Sequence, residues 1–268
     1  MKLVACVKVT PKVDQIRFDP STRTIVREGV ENEMNDADKA ALEMALSLKD
    51  GMGGSVTVLS MGPPAFEPLL KLAVAMGADD AILLSDRAFA GSDAYATSLV
   101  LASAIRKLSP FDLVLCGEAS SDGSTEQVPA GIAQWLGLPC ITYVNNVRAD
   151  TVKIVARRSF GAGYEVVESG MPALLSVELG CNSPRFPDFR RKRWVDREFK
   201  VGLWDARRLG ISPSEAGREG SMTSVEELRA MPGRDRRRQA LEGSPQEVAR
   251  EIARVIRLSM GGAPDPRR

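Results

Sequence analysis

Four short apolar runs, at 2–9, 55–60, 81–84 and 113–116, set the limits on what this chain can become. Each ends in small or polar residues, and each is followed by one segment with apolar side chains at helical spacing. After the first run these are Ala40, Ala41, Met44, Ala45 and Leu48, and after the second Phe66, Leu69, Leu70, Ala73 and Val74. Tyr95, Leu99, Ala102 and Ile105 follow the third run, and Val128, Ile132, Trp135 and Leu136 the fourth. A continuous apolar run bounded by turn formers is a strand covered on both faces. Strands that alternate with single helices connect by right-handed crossovers and form a parallel sheet. The predicted fold class is α/β, a doubly wound, mostly parallel sheet. Ligands of such sheets sit beyond the carboxyl ends of the strands, where strand order switches. Here those ends are Val9-Thr10, Ser60-Met61-Gly62 and the stretch 117–125.

The fourth run opens the stretch DLVLCGEASSDGSTEQVPAGIAQWLG, from Asp112 to Gly137. Strand, small polar loop and helix follow in that order, with Pro129 tolerated in a first helical turn. Free backbone N–H groups and the positive end of the helix dipole then point the same way, which favours phosphate. A tight turn of no further function is the competing reading, because the loop has neither a Walker lysine nor a GxGxxG. A second ligand-facing helix start lies at Asn35, an N-cap type of residue with Asp36 and Asp38 in the first turn. Ordinary capping is the preferred reading of those acids. Residues 15–18 and 24–27, on either side of an Asp-Pro turn, predict a hairpin between the first strand and this helix.

From Cys140 the rhythm changes. Segments 141–147, 152–156, 164–167 and 173–177 read as strands with no helix between them, an antiparallel or mixed extension of the sheet. After Glu178 comes CNSPRFPDFRRKRW, which reads either as a solvated basic loop or, given Phe186 and Phe189 beside arginines, as an interaction surface. Beyond Gly202 the chain is too poor in apolar residues for a core of its own. Its one amphipathic helix, about 244–258, carries Val248, Ile252, Val255 and Ile256, and 261–268 read as a disordered tail. The expected organisation is a nucleotide-binding α/β domain (1–180), a recognition loop with its basic run (181–200), and a C-terminal arm (201–268) that packs on a partner subunit.

Among 268 residues there is no histidine, so Ser-His-Asp and Cys-His catalysis and imidazole metal ligation are excluded. A formal net charge of +1 gives no case for nucleic acid. No membrane span or cleaved signal is expected, which places the chain in the cytoplasm. The four cysteines form no CxxC pair, and Cys6 and Cys116 are read as packing residues.

The order of motifs resembles the β subunit of electron transfer flavoproteins. The matching pieces are Cys6-Val7-Lys8-Val9, Met34-Asn35, Ala41-Leu42-Glu43, Ser60-Met61-Gly62-Pro63 and Ala75-Met76-Gly77-Ala78-Asp79. They continue with Asp122-Gly123-Ser124-Thr125-Glu126-Gln127-Val128, Asn182-Ser183-Pro184-Arg185-Phe186 and Gly243-Ser244-Pro245. The resemblance implies an adenine-nucleotide α-hydrolase-like sandwich with a C-terminal partner-binding arm. It also implies an α subunit that shares a redox-active FAD with this chain, and a β-subunit site for either AMP or a second FAD. The site residues it implies are Cys6, Asn35, Asp36, Ala37, Asp38 and Met61. To these it adds Gly117, Glu118, Ala119, Ser120, Ser121, Asp122, Gly123, Ser124, Thr125, Glu126, Gln127 and Val128. The loop is closer to the bifurcating and nitrogen-fixation-associated branch, so FAD is favoured over AMP. Glu126 stands where the family has a small or neutral residue, and at a phosphate-binding helix start it would be repulsive unless it points to solvent.

By the same resemblance, 184–189 is the loop that anchors partner dehydrogenases, such as an acyl-CoA dehydrogenase, with Phe189 as anchor, Phe186 as support and Arg185 beside them. The implied function is an electron carrier between dehydrogenases and an acceptor, possible bifurcation included, with no catalytic residue and no metal of its own. A nucleotide-binding stress or regulatory module on the same fold is the alternative. An ATP-cleaving ligase or hydrolase lacks its pyrophosphatase signature.

Overall fold

A computed structural model describes residues 1–12, 17–19, 24–26, 31–224, 226 and 240–259. The chain divides into two units, Met1–Leu228 and Arg229–Arg268. In chain order the first holds β1 (Lys2–Cys6), β2 (Val9–Pro11), β3 (Arg17–Asp19), β4 (Thr24–Val26), β5 (Asn32–Met34), α1 (Asp36–Met52), β6 (Ser55–Met61), α2 (Glu67–Met76), β7 (Asp80–Leu84), α3 (Ala94–Lys107) and β8 (Leu113–Gly117). It continues with α4 (Gln127–Leu136), β9 (Cys140–Ala149), β10 (Lys153–Phe160), β11 (Gly163–Gly170), β12 (Ala173–Val177), α5 (Phe189–Glu198), β13 (Gly202–Trp204), α6 (Ala206–Leu209) and α7 (Gly217–Gly220). The second unit holds α8 (Pro245–Ser259).

Nine strands form one sheet in the order β11-β10-β9-β12-β8-β1-β6-β7-β13. From β9 to β13 every neighbouring pair is parallel, and β10 and β11 add antiparallel pairs at one edge. The predicted doubly wound sheet and its mixed extension are both present. The chain runs outward from β1 to β6 and β7, then returns to the other side of β1 to lay down β8. That reversal puts the switch point between β1 and β8. The predicted hairpin is represented by β3 and β4, which pair antiparallel; its remaining residues and the predicted tail at 261–268 lie outside the described residues.

Alternate residues of each central strand feed opposite faces. Leu3, Ala5 and Val7 join Leu42, Leu46 and Val74 of α1 and α2 in one core. Val4 and Cys6 join Val100, Ile105 and Ile132 of α3 and α4 in the other. Cys6 and Cys116 are buried there, as packing residues are.

Two expectations from composition shift. The basic run after Glu178 is not a loop: α5 starts at Phe189, with Asp188 as N-cap accepting from Arg191 N–H at 2.7 Å. Val195 buries its side chain in the core, and Arg191 reaches Val74 O (2.6 Å) and Ala78 O at the end of α2. The boundary expected at 200 also falls inside the first unit, because β13 completes the sheet beside β7 and Trp204, Leu209 and Ile211 join the second core. Too few apolar residues to make a core proved enough to extend one.

Candidate functional site

At the switch point the ends of β1 and β8 separate over a cleft of about 350 Å³. Of the sequence-predicted residues it brings together Cys6, Asp38, Met61, Gly117, Glu118, Ala119, Ser120, Gly123, Thr125, Glu126 and Val128. Asn35, Asp36, Ala37, Ser121, Asp122, Ser124 and Gln127 do not line it. Asp36 pairs with Lys39 at 2.7 Å on the outside of α1, and Asn35 and Ala37 are buried beneath. The cleft also takes in Lys8, Leu59, Leu101 and the start of α3 at Ser92, Asp93, Ala94 and Thr97, none of which were among the predicted site residues. Lys8 had a legible signal, being a charge at the end of an apolar run. Ser92 and Asp93 were legible only as a cap, and Asp93 does accept from Ala96 N–H at 3.0 Å.

The floor is tied by α1. Asp38 accepts from Lys8 N–H (2.8 Å), Gly117 N–H (2.8 Å) and Asn35 Nδ2 (3.0 Å), which clips the ends of β1 and β8 to the helix start. Burial pushes its carboxyl up to about 6, against the pull of those hydrogen bonds. Asn35 is not the side-chain cap the sequence predicts. Its Nδ2 donates to Ala119 O (2.8 Å) and its Oδ1 accepts from Ser121 N–H (3.1 Å), so it fixes the β8–α4 loop instead. The glycine that this packing requires is Gly117, where an added Cβ would stand 2.6 Å from Asp38 Oδ1 and from the Ala37 carbonyl carbon.

Lys8 closes the loop from the other side. Its Nζ donates to Ser120 Oγ at 3.1 Å and to Asp122 Oδ1 at 2.5 Å. Burial alone would raise the Asp122 carboxyl, but the Lys8 contact outweighs it and holds the group below the ordinary range. Glu118, by contrast, is raised by burial and by the nearby Glu178 and Glu126. Glu126, the N-cap of α4, has a left-handed backbone (φ 58°), makes no capping bond, and accepts from Tyr143 OH of β9.

The N–H groups of Gln127 and Val128 therefore stay without an intrahelical partner, as in any first helical turn, and Val128 lines the cleft. Together with the Lys8 ammonium and the Ser120 hydroxyl they make a donor set suited to phosphate. Leu59, Leu101 and Val128 offer apolar walls suited to a flat ring. These residues fit an adenine nucleotide.

Elsewhere in the first unit, Phe186 and Phe189 are 93% and 74% exposed. Arg185, predicted beside them, is tied back to α1. Its guanidinium is held by Glu43 (Nη2 to Oε1, 2.9 Å) and Asp50 (2.9 Å) of α1, so it seats the loop. Phe189, Arg190, Arg193, Trp194 and Arg197 share one shallow face of α5.

A mostly parallel sheet with a crevice at the switch point, lined by helix starts from both layers, defines an open α/β protein of the doubly wound class. Residues 22–199 match the electron transfer flavoprotein domain. Over 252 residues the chain is 38% identical to the electron transfer flavoprotein subunit beta of Thermoanaerobacterium thermosaccharolyticum, covering 94% of this chain and 96% of that one. It is 44% identical to Protein FixA of Azotobacter vinelandii over 90% of this chain and 88% of the relative. It is 40% identical to the caffeyl-CoA reductase-Etf complex subunit CarD of Acetobacterium woodii over 84% and 86%. The chain belongs to the electron transfer flavoprotein family, on the β-subunit side and in the branch that its Asp122–Val128 loop resembles. It is thus an electron-transfer subunit. Among the described residues no helix is long and apolar enough to cross a membrane.

Proposed function

We propose that this chain is one half of a heterodimeric electron transfer flavoprotein, with an α subunit as the other half. It holds an adenine nucleotide in the β1–β8 cleft, FAD in preference to AMP. The complex passes electrons from a dehydrogenase, such as an acyl-CoA dehydrogenase, to an acceptor. When bound, the flavin supplies the redox chemistry, and the protein supplies binding, orientation and electrostatics. The observation that carries this reading is that Lys8, Ser120 and the first turn of α4, at Val128 and Pro129, line one cleft at the switch point. Asn35 and Asp38 keep those donors in place before any ligand arrives.

The test is the flavin and AMP content of the denatured α–β complex. Two FAD per heterodimer support the bifurcating form of the activity, and one FAD with one AMP the simple carrier. A complex without flavin, or a chain that binds nucleotide yet never assembles with an α subunit, would instead favour the regulatory module.

A further inference from the structure

Tyr143 and Glu126 are the two ends of one hydrogen bond, and both hold the left-handed backbone that L-residues avoid (φ 56° and 58°). On β9 the cause is a bulge. Ile141 pairs with Leu175 and Val144 with Val177, so three steps along β9 match two along β12. Arg158 clamps the bulge by donating to Thr142 O (2.9 Å) and Thr142 Oγ1 (2.9 Å). Bulges re-aim side chains, and this one sends the Tyr143 hydroxyl across to the loop that opens α4. At the other end, a carboxylate beside a helix start gains by turning inward to the dipole and the free N–H groups. Glu126 does not turn inward. Its carboxylate is taken by Tyr143, and the hydrogen bond pushes the phenol further up from its ordinary value.

We propose that Tyr143 is a positioning residue for the nucleotide phosphate: it holds the Glu126 carboxylate off the start of α4, leaving the N–H groups of Gln127 and Val128 open to the ligand. This deepens the reading of the cleft as a nucleotide site and rests on it. Without the hydroxyl, the carboxylate is released to cap its own helix. It then occupies the phosphate's donors and sets a like charge beside it.

The experiment is a double-mutant cycle on the full-length chain, with ADP as the probe because it is the half of FAD that carries the adenine and pyrophosphate. Dissociation constants are measured by calorimetry, and thermal melts establish that each variant folds. Tyr143→Phe should weaken ADP about tenfold, and Glu126→Gln, which removes the competing charge, should tighten it about threefold. In the Glu126→Gln background, Tyr143→Phe should change nothing further. Equal weakening by Tyr143→Phe in both backgrounds would mean that the ring acts on the ligand or the bulge directly, and would overturn the proposal. So would no effect of Tyr143→Phe, or weaker binding by Glu126→Gln alone, a result that stands even if the tyrosine variant fails to fold. Failure of the cleft reading looks different. The wild type would bind no ADP, or would bind it with an affinity that Lys8→Met leaves unaltered, and the proposal would fall with it.

Discussion

At Gly117 a hydrogen atom is all that the space above Asp38 admits, so Gly117→Ala must push α1 away from β8. Overpacking of this kind costs about 1–3 kcal/mol, and the expected result is a lower melting temperature with reduced nucleotide retention, measured by calorimetry and by nucleotide release. Gly123 was the more conspicuous glycine in the sequence, yet an added Cβ there meets nothing nearer than Ser120 Oγ at 3.4 Å. The difference was illegible because it depends on a helix start some eighty residues earlier. Asp38 carries a second prediction. Its folded value of about 6 lies above the unfolded value of 3.8, so between those pH values the native state holds a proton that the unfolded state has lost. Its contribution therefore falls as pH rises from about 4 to about 6, by on the order of 3 kcal/mol, and stays constant above. Asp38→Asn should remove that slope. It should also lower stability throughout, because one amide oxygen cannot serve the three donors from Lys8, Gly117 and Asn35. Urea unfolding of both proteins across that range checks the sign; a wild-type minus Asp38→Asn difference that rises with pH would refute it.

Among the elements, α1 and α5 show where sequence reading reaches its limit. The strands and helices of the sheet were legible because apolar spacing is local. The basic run was not, because the stabilising partners of α5 come from α2 and the turn after it: Val74 O and Ala78 O for Arg191, and a core slot for Val195. Arg191 thus serves the fold, while Arg190, Arg193 and Arg197 stand beside Phe189 and Trp194 on one face. Under the docking reading, Phe189→Ala should raise the apparent Michaelis constant for the partner dehydrogenase about thirtyfold, the ~2 kcal/mol expected of an anchor, with flavin content unchanged. Arg190 and Arg193 should act mainly on encounter rate and its salt dependence. The loop before α5 is seated by Glu43, whose carboxyl burial would raise but Arg185 holds below its ordinary value. Glu43→Ala leaves Arg185 with Asp50 alone and should cost about 2 kcal/mol, less than a fully buried pair because Arg185 is a third exposed. It should weaken docking in step with the loop's release, read as faster proteolysis around 182–188.

On the scale of the whole molecule, the sheet reaches its last strand at β13, and the first unit ends at Leu228 with both of its cores closed. The second unit offers a well-capped helix: Ser244 Oγ accepts from Glu247 N–H (3.4 Å), and Glu247 Oε2 accepts from Ser244 N–H (2.8 Å). On α8, Ile252 and Val255 are about half exposed, an apolar surface that a lone chain would leave in water. The proposed α subunit is what such a helix would cover. Truncation after Ser224 should therefore leave the melting of the first unit within about 1 kcal/mol of wild type, since none of its core side chains is removed. Assembly should suffer far more. Burial of three aliphatic side chains, Val248, Ile252 and Val255, contributes several kcal/mol at about 1.5–3 kcal/mol each, so the truncated chain should co-purify with the α subunit at least tenfold less well. Ile252→Asp in the full chain should reproduce the defect without shortening anything. The measurement is the yield of yellow heterodimer on co-expression, beside the melting curve of each chain alone. A truncated chain that still forms the heterodimer at full yield would place the α-subunit contact on the sheet and α5, and would leave α8 without a role in assembly.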